Sequence, residues 1–412
     1  VSTDLEASRA TPSPCPVPPV GTQDAYWVAD NDGTASRAAM AAASGPYSTT
    51  VPARLSDLDL RVPSDLAAAA EDAASALARF DSQATARLGA EGSLGPMKAI
   101  LLRTEASSSS QIENLTVGAR QLALAEIGQS VSLNARLVIG NVRAMMAANT
   151  LATRLDEQSI LDMHRALMEG HHDEAGQYRG QLVWVGTSGI SPRGAVHVAP
   201  AAALVPDAMA DLVQFVTRED VQVVVQTAVA HAQLETIHPF ADGNGRTGRA
   251  LVHAMMRAKG LVTSVTAPVS AGLLTDTTTY FDALQAFRAG DARPIVERFC
   301  EAAMFAAASG TRLVDQLAEE VTASMELLAA TRLRRQAGAW RVLPRLVGQP
   351  IVNAAWLQQS LDMNAVGAQR ALRQLVDAGV VVERTGFQRN RVWEHRGILA
   401  ILDGWAASIR RR

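Results

Sequence analysis

The chain has 412 residues, 48% of them hydrophobic, enough apolar material for two to three domains with real cores, which excludes a disordered protein. A formal net charge of −3 commits the whole chain to no strongly charged partner, but residues 331–412 hold 14 Arg against 5 Asp/Glu, a local +9 that leaves −12 elsewhere. Two distant cysteines, Cys15 and Cys300, exclude a disulfide framework and fit a reducing compartment; with no secretory pattern and no unbroken membrane-length apolar run, the expectation is a cytoplasmic protein without membrane contact.

Alanine-rich periodic stretches predict a mainly α chain with few, local β signals. Residues 1–22, rich in Ser, Thr and Pro, read as a disordered tail. Residues 23–60 read as irregular, with Trp27 and Tyr47 as anchors. A helix is predicted over 62–91, opened by Pro63 and Ser64, with Leu77, Ala78 and Phe80 on its apolar side. Residues 101–114 then read Leu-Leu-Arg-Thr-Glu-Ala-Ser-Ser-Ser-Ser-Gln-Ile-Glu-Asn, which puts Ser109 and Glu113 on one helical face. Within 176–200, Val185-Gly186 and Val196 to Val198 flank a polar Gly/Ser/Pro turn, the pattern of a β-hairpin, with His197 expected at its surface. A helix over 221–237 follows, on which His231 and Glu235 read as packing or supporting residues rather than as a metal pair.

The chemistry concentrates in residues 238–249: His-Pro-Phe-Ala-Asp-Gly-Asn-Gly-Arg-Thr-Gly-Arg. His238 can serve as a general base near neutral pH. Pro239 ends helical geometry at that histidine. Gly243, Asn244 and Gly245 form a turn whose N–H groups can face an anion, and the helix predicted to run to Lys259 presents its N-terminus to the same spot. Arg246 and Arg249 share one face of its first turn and suit two phosphates. Asp242 supplies a hard oxygen for Mg²⁺.

This string resembles the signature of the Fic family, His-Pro-Phe-x-(Asp/Glu)-Gly-Asn-Gly-Arg-x-x-Arg, at every fixed position. The resemblance implies a nucleotidyltransferase that moves AMP from ATP onto a Ser, Thr or Tyr hydroxyl of a protein. His238 would deprotonate the hydroxyl, Asp242 would hold Mg²⁺, and Gly243, Asn244, Gly245, Arg246 and Arg249 would bind the nucleotide. Ser109, Glu113 and Asn114 resemble the family's inhibitory motif, which implies that Glu113 pairs with Arg249 and blocks productive ATP binding. The hairpin bearing Val185, Gly186, Val196 and Val198 resembles the flap over which Fic proteins align their targets by strand addition.

The resulting division is an N-terminal helical region with the inhibitory helix (23–129), a Fic helical bundle with its β-hairpin flap (130–310), a connecting helix (311–338) and a C-terminal module (339–412). In that module a helix over Ile351–Leu361, a turn at Asp362, a helix over Ala365–Ala378 capped by Gly379, and strands over Val380–Glu383 and Asn390–Glu394 read as a winged helix-turn-helix domain. Arg370, Arg373, Arg384, Arg389 and Arg391 could meet phosphates there, so DNA, a protein partner or a structural role all stay open. The expected partners are ATP and a target protein, or the chain itself, with a homodimer also open. The alternative functions are a DNA-binding regulator whose core senses nucleotide without turnover, or a Fic enzyme that uses another donor or removes AMP.

Overall fold

The computed structural model describes residues 13–29, 36–89, 94–130, 132–186, 188–384 and 391–410. A two-stranded antiparallel ribbon comes first, β1 (Gly21–Trp27) paired to β2 (Gly45–Val51) across the short helix α1 (Arg37–Ala43). Then follow α2 (Ser64–Gly89), α3 (Leu94–Ile112), α4 (Ala119–Glu126), α5 (Leu133–Leu151) and α6 (Glu157–Met168). A hairpin of two-residue strands, β3 (Trp184–Val185) with β4 (His197–Val198), precedes α7 (Val205–Thr217), α8 (Val223–Ile237) and α9 (Asn244–Ala258). The bundle closes with α10 (Val269–Leu274), α11 (Thr277–Arg288) and the 38-residue α12 (Arg293–Ala330).

The central element is α8. Every residue from Val224 to Ile237 is buried, because its sequence is apolar on nearly all sides and the polar exceptions find partners. Gln226 donates to the carbonyls of Phe215, Val216 and Arg218, and Gln233 to that of Ala53. A helix buried all round has an invariant place, and α9, α7, α11 and α12 pack about it. Helix α2 lies along α12. On α2, Ala73, Ala76, Leu77 and Phe80 face inward, so Leu77 and Phe80 lie on the expected apolar side, whereas Ala78 faces solvent.

Three further expectations are corrected. Residues 13–20 are ordered chain: Cys15 is fully buried, its N–H donates to Asp291 Oδ1, and Val17 donates to the carbonyl of Gly290; residues 1–12 of the expected tail lie outside the described residues. The 23–60 stretch holds a regular ribbon, with Trp27 and Tyr47 edge to face at 6.3 Å. No break falls at 310, since α12 runs through it; Gly310 sits where a Cβ would lie 2.9 Å from the Phe80 ring, so this glycine seats α2 on α12 rather than ending a domain.

The C-terminal region adds α13 (Gly338–Val342), β5 (Ile351–Val352), α14 (Ala354–Leu361), α15 (Ala365–Asp377), β6 (Val382–Glu383), β7 (Trp393–Glu394) and α16 (Arg396–Arg410). Its sheet is antiparallel, ordered β5-β7-β6, so residues 351–352 form a strand where a helix start was expected. Asn353 explains the shift: extended at φ −131°, it caps α14 by accepting from the N–H of Trp356. Arg391 forms an ion pair with Glu383 and stacks over Trp393, which withdraws it from the expected phosphate-facing set; Arg389 and the turn 385–387 lie outside the described residues. The region shares the bundle's core, and Ile351, Val392 and Leu399 pack on Ala123 and Leu124 of α4. Among the described residues no helix is long and apolar enough to cross a membrane.

Candidate active site

The site forms where α8 ends and α9 begins. His238 takes a left-handed conformation (φ 49°, ψ 60°), its N–H closing the last turn on the Leu234 carbonyl. A β-carbon in this region is held only where its surroundings fix it. The fixing group is Arg179, whose Nε donates to the His238 carbonyl at 2.8 Å. Its Nη1 reaches the Gln181 carbonyl at 2.7 Å, and its Nη2 reaches those of Pro200 (2.8 Å) and Ile237 (3.4 Å). Arg288 Nη2 donates to the Glu235 carbonyl at 3.1 Å. Two guanidiniums thus satisfy the carbonyl end of α8, where the helix leaves acceptors unpaired.

The His238 ring turns Nδ1 toward the Glu235 carbonyl at 3.4 Å, which selects the tautomer with the proton on Nδ1 and leaves Nε2 as acceptor. Burial pushes its pKa down to about 4, only partly offset by that carbonyl, so the ring is neutral at pH 7 and able to take a proton. The Glu235 carboxylate lies 3.8 Å from Nδ1; burial first and the nearby Glu113 second push its pKa up to about 7.

The loop from Pro239 to Gly243 is clamped from inside. Asn244 Oδ1 accepts from the Phe240 N–H at 2.8 Å and its Nδ2 donates to the Phe240 carbonyl at 2.9 Å, so this buried amide shapes the loop instead of facing an open mouth. His164 stacks on Phe240 with centroids 3.7 Å apart. Its Nδ1 accepts from the Gly176 N–H, which leaves Nε2 to donate to the Asp242 carbonyl at 3.1 Å. Gly243 caps α9 at φ 78°, where a side chain would also meet Leu167 at 2.9 Å.

The mouth of α9 carries the charges. Asp242 is 64% exposed, and its Oδ2 lies 3.3 Å from Arg246 Nη2. Arg246 is buried, and among the described residues its Nε and Nη1 have no partner. A buried cation with two unmet donors is costly unless an anion completes it. Asp242 is a single hard carboxylate beside that cation, and among the described residues no three His, Cys, Asp or Glu side chains converge. One carboxylate plus phosphate oxygens is a donor set that fits Mg²⁺ and not a protein-only metal centre.

Arg249, one turn on, is 2% exposed and fully engaged. Its Nε donates to Ser109 Oγ and its Nη2 to the Ser109 carbonyl, both at 2.9 Å, and Nη2 also reaches Glu113 Oε1 at 2.7 Å. Burial, the largest single influence, lowers its pKa, but Glu113, Tyr280 and Glu235 together outweigh it and the net shift is upward. The sequence therefore brings His238, Asp242, Gly243, Asn244, Gly245, Arg246, Arg249, Ser109 and Glu113 into one region.

The hairpin arches toward His238. Val185 and Val196 are exposed on it, Val198 is half-buried, and Gly186 packs against Ala195. His197 corrects an expectation: it is 4% exposed, its Nε2 donates to the Thr236 carbonyl at 2.9 Å, its Nδ1 faces Thr50 Oγ1 at 3.4 Å, and its ring centroid is 6.2 Å from that of His238. Burial pushes its pKa to about 3, so it joins hairpin to helix as a neutral ring. Trp27 of β1 braces the hairpin, edge to face with Trp184 at 5.3 Å and donating from Nε1 to the Ile190 carbonyl. His231 is buried with Nε2 2.8 Å from Tyr280 Oη, a packing position as expected.

Residues 154–256 match the Fic/DOC family. The chain is 35% identical to "Protein adenylyltransferase fic-1" of Caenorhabditis briggsae over 142 residues, 33% of this chain and 25% of that protein. It is 33% identical to the Caenorhabditis elegans protein of the same name over 170 residues, 39% of this chain and 30% of that one. Against the curated relatives it matches, the chain thus spans about a quarter to a third of their length. A Fic family protein from Desulfovibrio desulfuricans G20 overlays with a TM-score of 0.48 at 24% identity, across 78% of this chain and 95% of that one. The histidine loop and the mouth of α9 described above both lie within residues 154–256, the segment of this chain that matches the Fic/DOC family.

Proposed function

We propose that the protein is an adenylyltransferase held in an inhibited state, transferring AMP from ATP to a hydroxyl of a protein target or of itself. The observation that carries this reading is the meeting, at one helix mouth, of a neutral imidazole with its Nε2 left as acceptor, a buried guanidinium with two unmet donors and a carboxylate–guanidinium pair closed by Glu113. Bound Mg²⁺ would be held by Asp242 and would supply charge neutralisation on the phosphates. Arg246 would take a phosphate with its two unmet donors, and the free N–H groups opening α9 would add to it. The target oxygen would attack the α-phosphorus, its proton would pass to His238 Nε2, and the bond to the leaving pyrophosphate would break in the same displacement. Positioning and electrostatics, with no protein nucleophile, carry such a step. The exposed Val185 and Val196 edge of the hairpin suits strand addition by a target segment, which favours backbone over side-chain recognition.

In this reading Glu113 occupies the guanidinium that a third phosphate needs, so ATP is held unproductively until the contact opens. The C-terminal sheet with α14 and α15 is read as a winged helix-turn-helix module. Its Arg370, beside Arg334 and Arg341 in one open groove of about 470 Å³, is the observation that keeps DNA contact as the second reading.

The deciding experiment is intact-mass analysis of the Glu113→Gly protein after incubation with ATP and Mg²⁺, alone and with lysate. The expected result is a gain of one AMP on the chain or on a labelled partner, lost when His238 becomes Ala. Salt-dependent retention on DNA, with ATP left intact and no labelled protein, would replace this reading with the DNA-binding regulator.

A further inference from the structure

Glu113 is not the only carboxylate that α3 sends into α9. Two turns earlier Glu105, fully buried, accepts from His253 at 2.7 Å and from the Ser270 N–H at 2.9 Å, with the Ser270 hydroxyl on the same carboxylate. Residues 105 and 109 on α3 and residue 113 just past its end recur every four positions, and residues 249 and 253 do so on α9. One face of each helix is therefore stitched to the other at two levels: Glu105 on His253, and Ser109 with Glu113 on Arg249.

The two levels differ in character. Around Glu105 the contacts are wholly enclosed, and they reach a third element through Ser270 of α10. From α5, Asn141 donates to the Ala106 carbonyl at 2.8 Å and to Ser110 Oγ at 3.1 Å, holding the helix from the other side as far as residue 110. The chain past Ser110 is looser. It follows four consecutive serines, residues 107–110, whose hydroxyls compete for backbone partners, as Ser110 does by donating to the Ala106 carbonyl. Helix α3 stops at Ile112, the N–H of Glu113 and that of Leu115 both fall back on the Ser110 carbonyl, and Asn114 is left-handed at φ 62°. The Glu113 side chain is 39% exposed.

We propose that Glu105, His253 and Ser270 form a permanent anchor that sets the register of α3 on α9. Glu113 then reaches and leaves Arg249 by motion of the last turn of α3 alone, while the rest of the helix stays docked. This rests on the reading of Glu113 as inhibitory. Glu105 and His253 are positioning residues: they touch no substrate, and act by placing Glu113.

Hydrogen exchange on the full-length chain, read peptide by peptide, tests the motion without reference to activity. In Glu113→Gly, amides of residues 111–115 are expected to exchange about tenfold faster or more, with residues 98–106 unchanged within about twofold. Faster exchange of both segments together would overturn the proposal. His253→Leu removes the anchor's ring donor, whereas His253→Gln can still donate to Glu105. The first should raise AMP transfer by the otherwise wild-type chain about tenfold or more, and the second should restore the inhibited rate. In the Glu113→Gly background His253→Leu should leave transfer unchanged. If His253→Leu keeps the inhibited rate, or abolishes transfer in that background, the anchor serves the catalytic helix and not Glu113. A Glu113→Gly protein that never transfers AMP would instead remove the inhibitory reading, while the exchange experiment still decides how α3 moves.

Discussion

Glu113 and Gly245 compete for one space: a β-carbon on residue 245 would lie 2.1 Å from Glu113 Oε1. The first turn of α9 is therefore open to the carboxylate only because it begins Asn-Gly. Gly245→Ala is expected to expel Glu113 and to lower stability by about 1–3 kcal/mol, the usual range for an overpacked site. Most of that loss should vanish in the Gly245→Ala, Glu113→Gly pair, since the clashing group is gone. Thermal unfolding of the four proteins gives the cycle, and additive effects would show that the two residues do not meet.

His238→Ala should abolish AMP transfer, by about 10²–10⁴-fold or more, while nucleotide binding persists. Rates measured in the Glu113→Gly background, with binding by calorimetry, separate the two. Equal loss of both would mean that the imidazole shapes the pocket instead of taking a proton.

Asn244→Ala removes both bonds that clamp Phe240 and leaves a buried N–H and carbonyl unmet. A stability loss of about 2–4 kcal/mol is expected from two orphaned backbone groups, and denaturant unfolding measures it. A loss below about 0.5 kcal/mol would place the amide's role elsewhere, for example against phosphate.

Arg179→Lys keeps the charge but cannot serve four carbonyls at once. The His238 loop should loosen, so kcat falls about tenfold or more with KM for ATP little changed. Steady-state kinetics decides, and a change confined to KM would contradict a positioning role.

Acid should unfold the protein early. Burial pushes His164, His238 and His395 down to about 4, and His197 and His231 to about 3, from 6.5. Between those values the unfolded chain binds protons that the fold does not, so stability falls as pH drops below 6.5. Glu235 has the opposite sign: raised from 4.5 to about 7, its protonated form favours the fold, and that contribution is lost as pH rises through 7. Calorimetric Tm should therefore fall from pH 7 to pH 5, and fall more steeply in Glu235→Gln. A flat profile would mean that these rings are not held neutral.

The reach of the sequence followed the range of each signal. The 238–249 string and the Ser109–Glu113 spacing are local chemistry, so the residues that meet at the helix mouth could be named before any coordinates. For Asn244 the string sets the loop but not the amide's partner: nothing in it says whether the amide faces out toward a ligand or back to Phe240, to which it bonds here. His197, Arg179 and Glu105 owe their places to carbonyls and side chains far away in the chain, and no spacing rule marks such pairs. The β1–β2 ribbon is not legible because its strands are separated by a helix and mix polar with apolar residues, so no alternating pattern announces them. The strand at 351–352 is masked by the helix signal that follows it.

The family match starts at residue 154, yet the lid above His238 is propped from much earlier: Trp27 leans on Trp184, and Thr50 faces His197. Cutting the gene at the match boundaries would strip the hairpin of its prop and bare an indole face. A minimal fragment that keeps this site braced has to start ahead of residue 21, and shorter ones should come out of expression sticky.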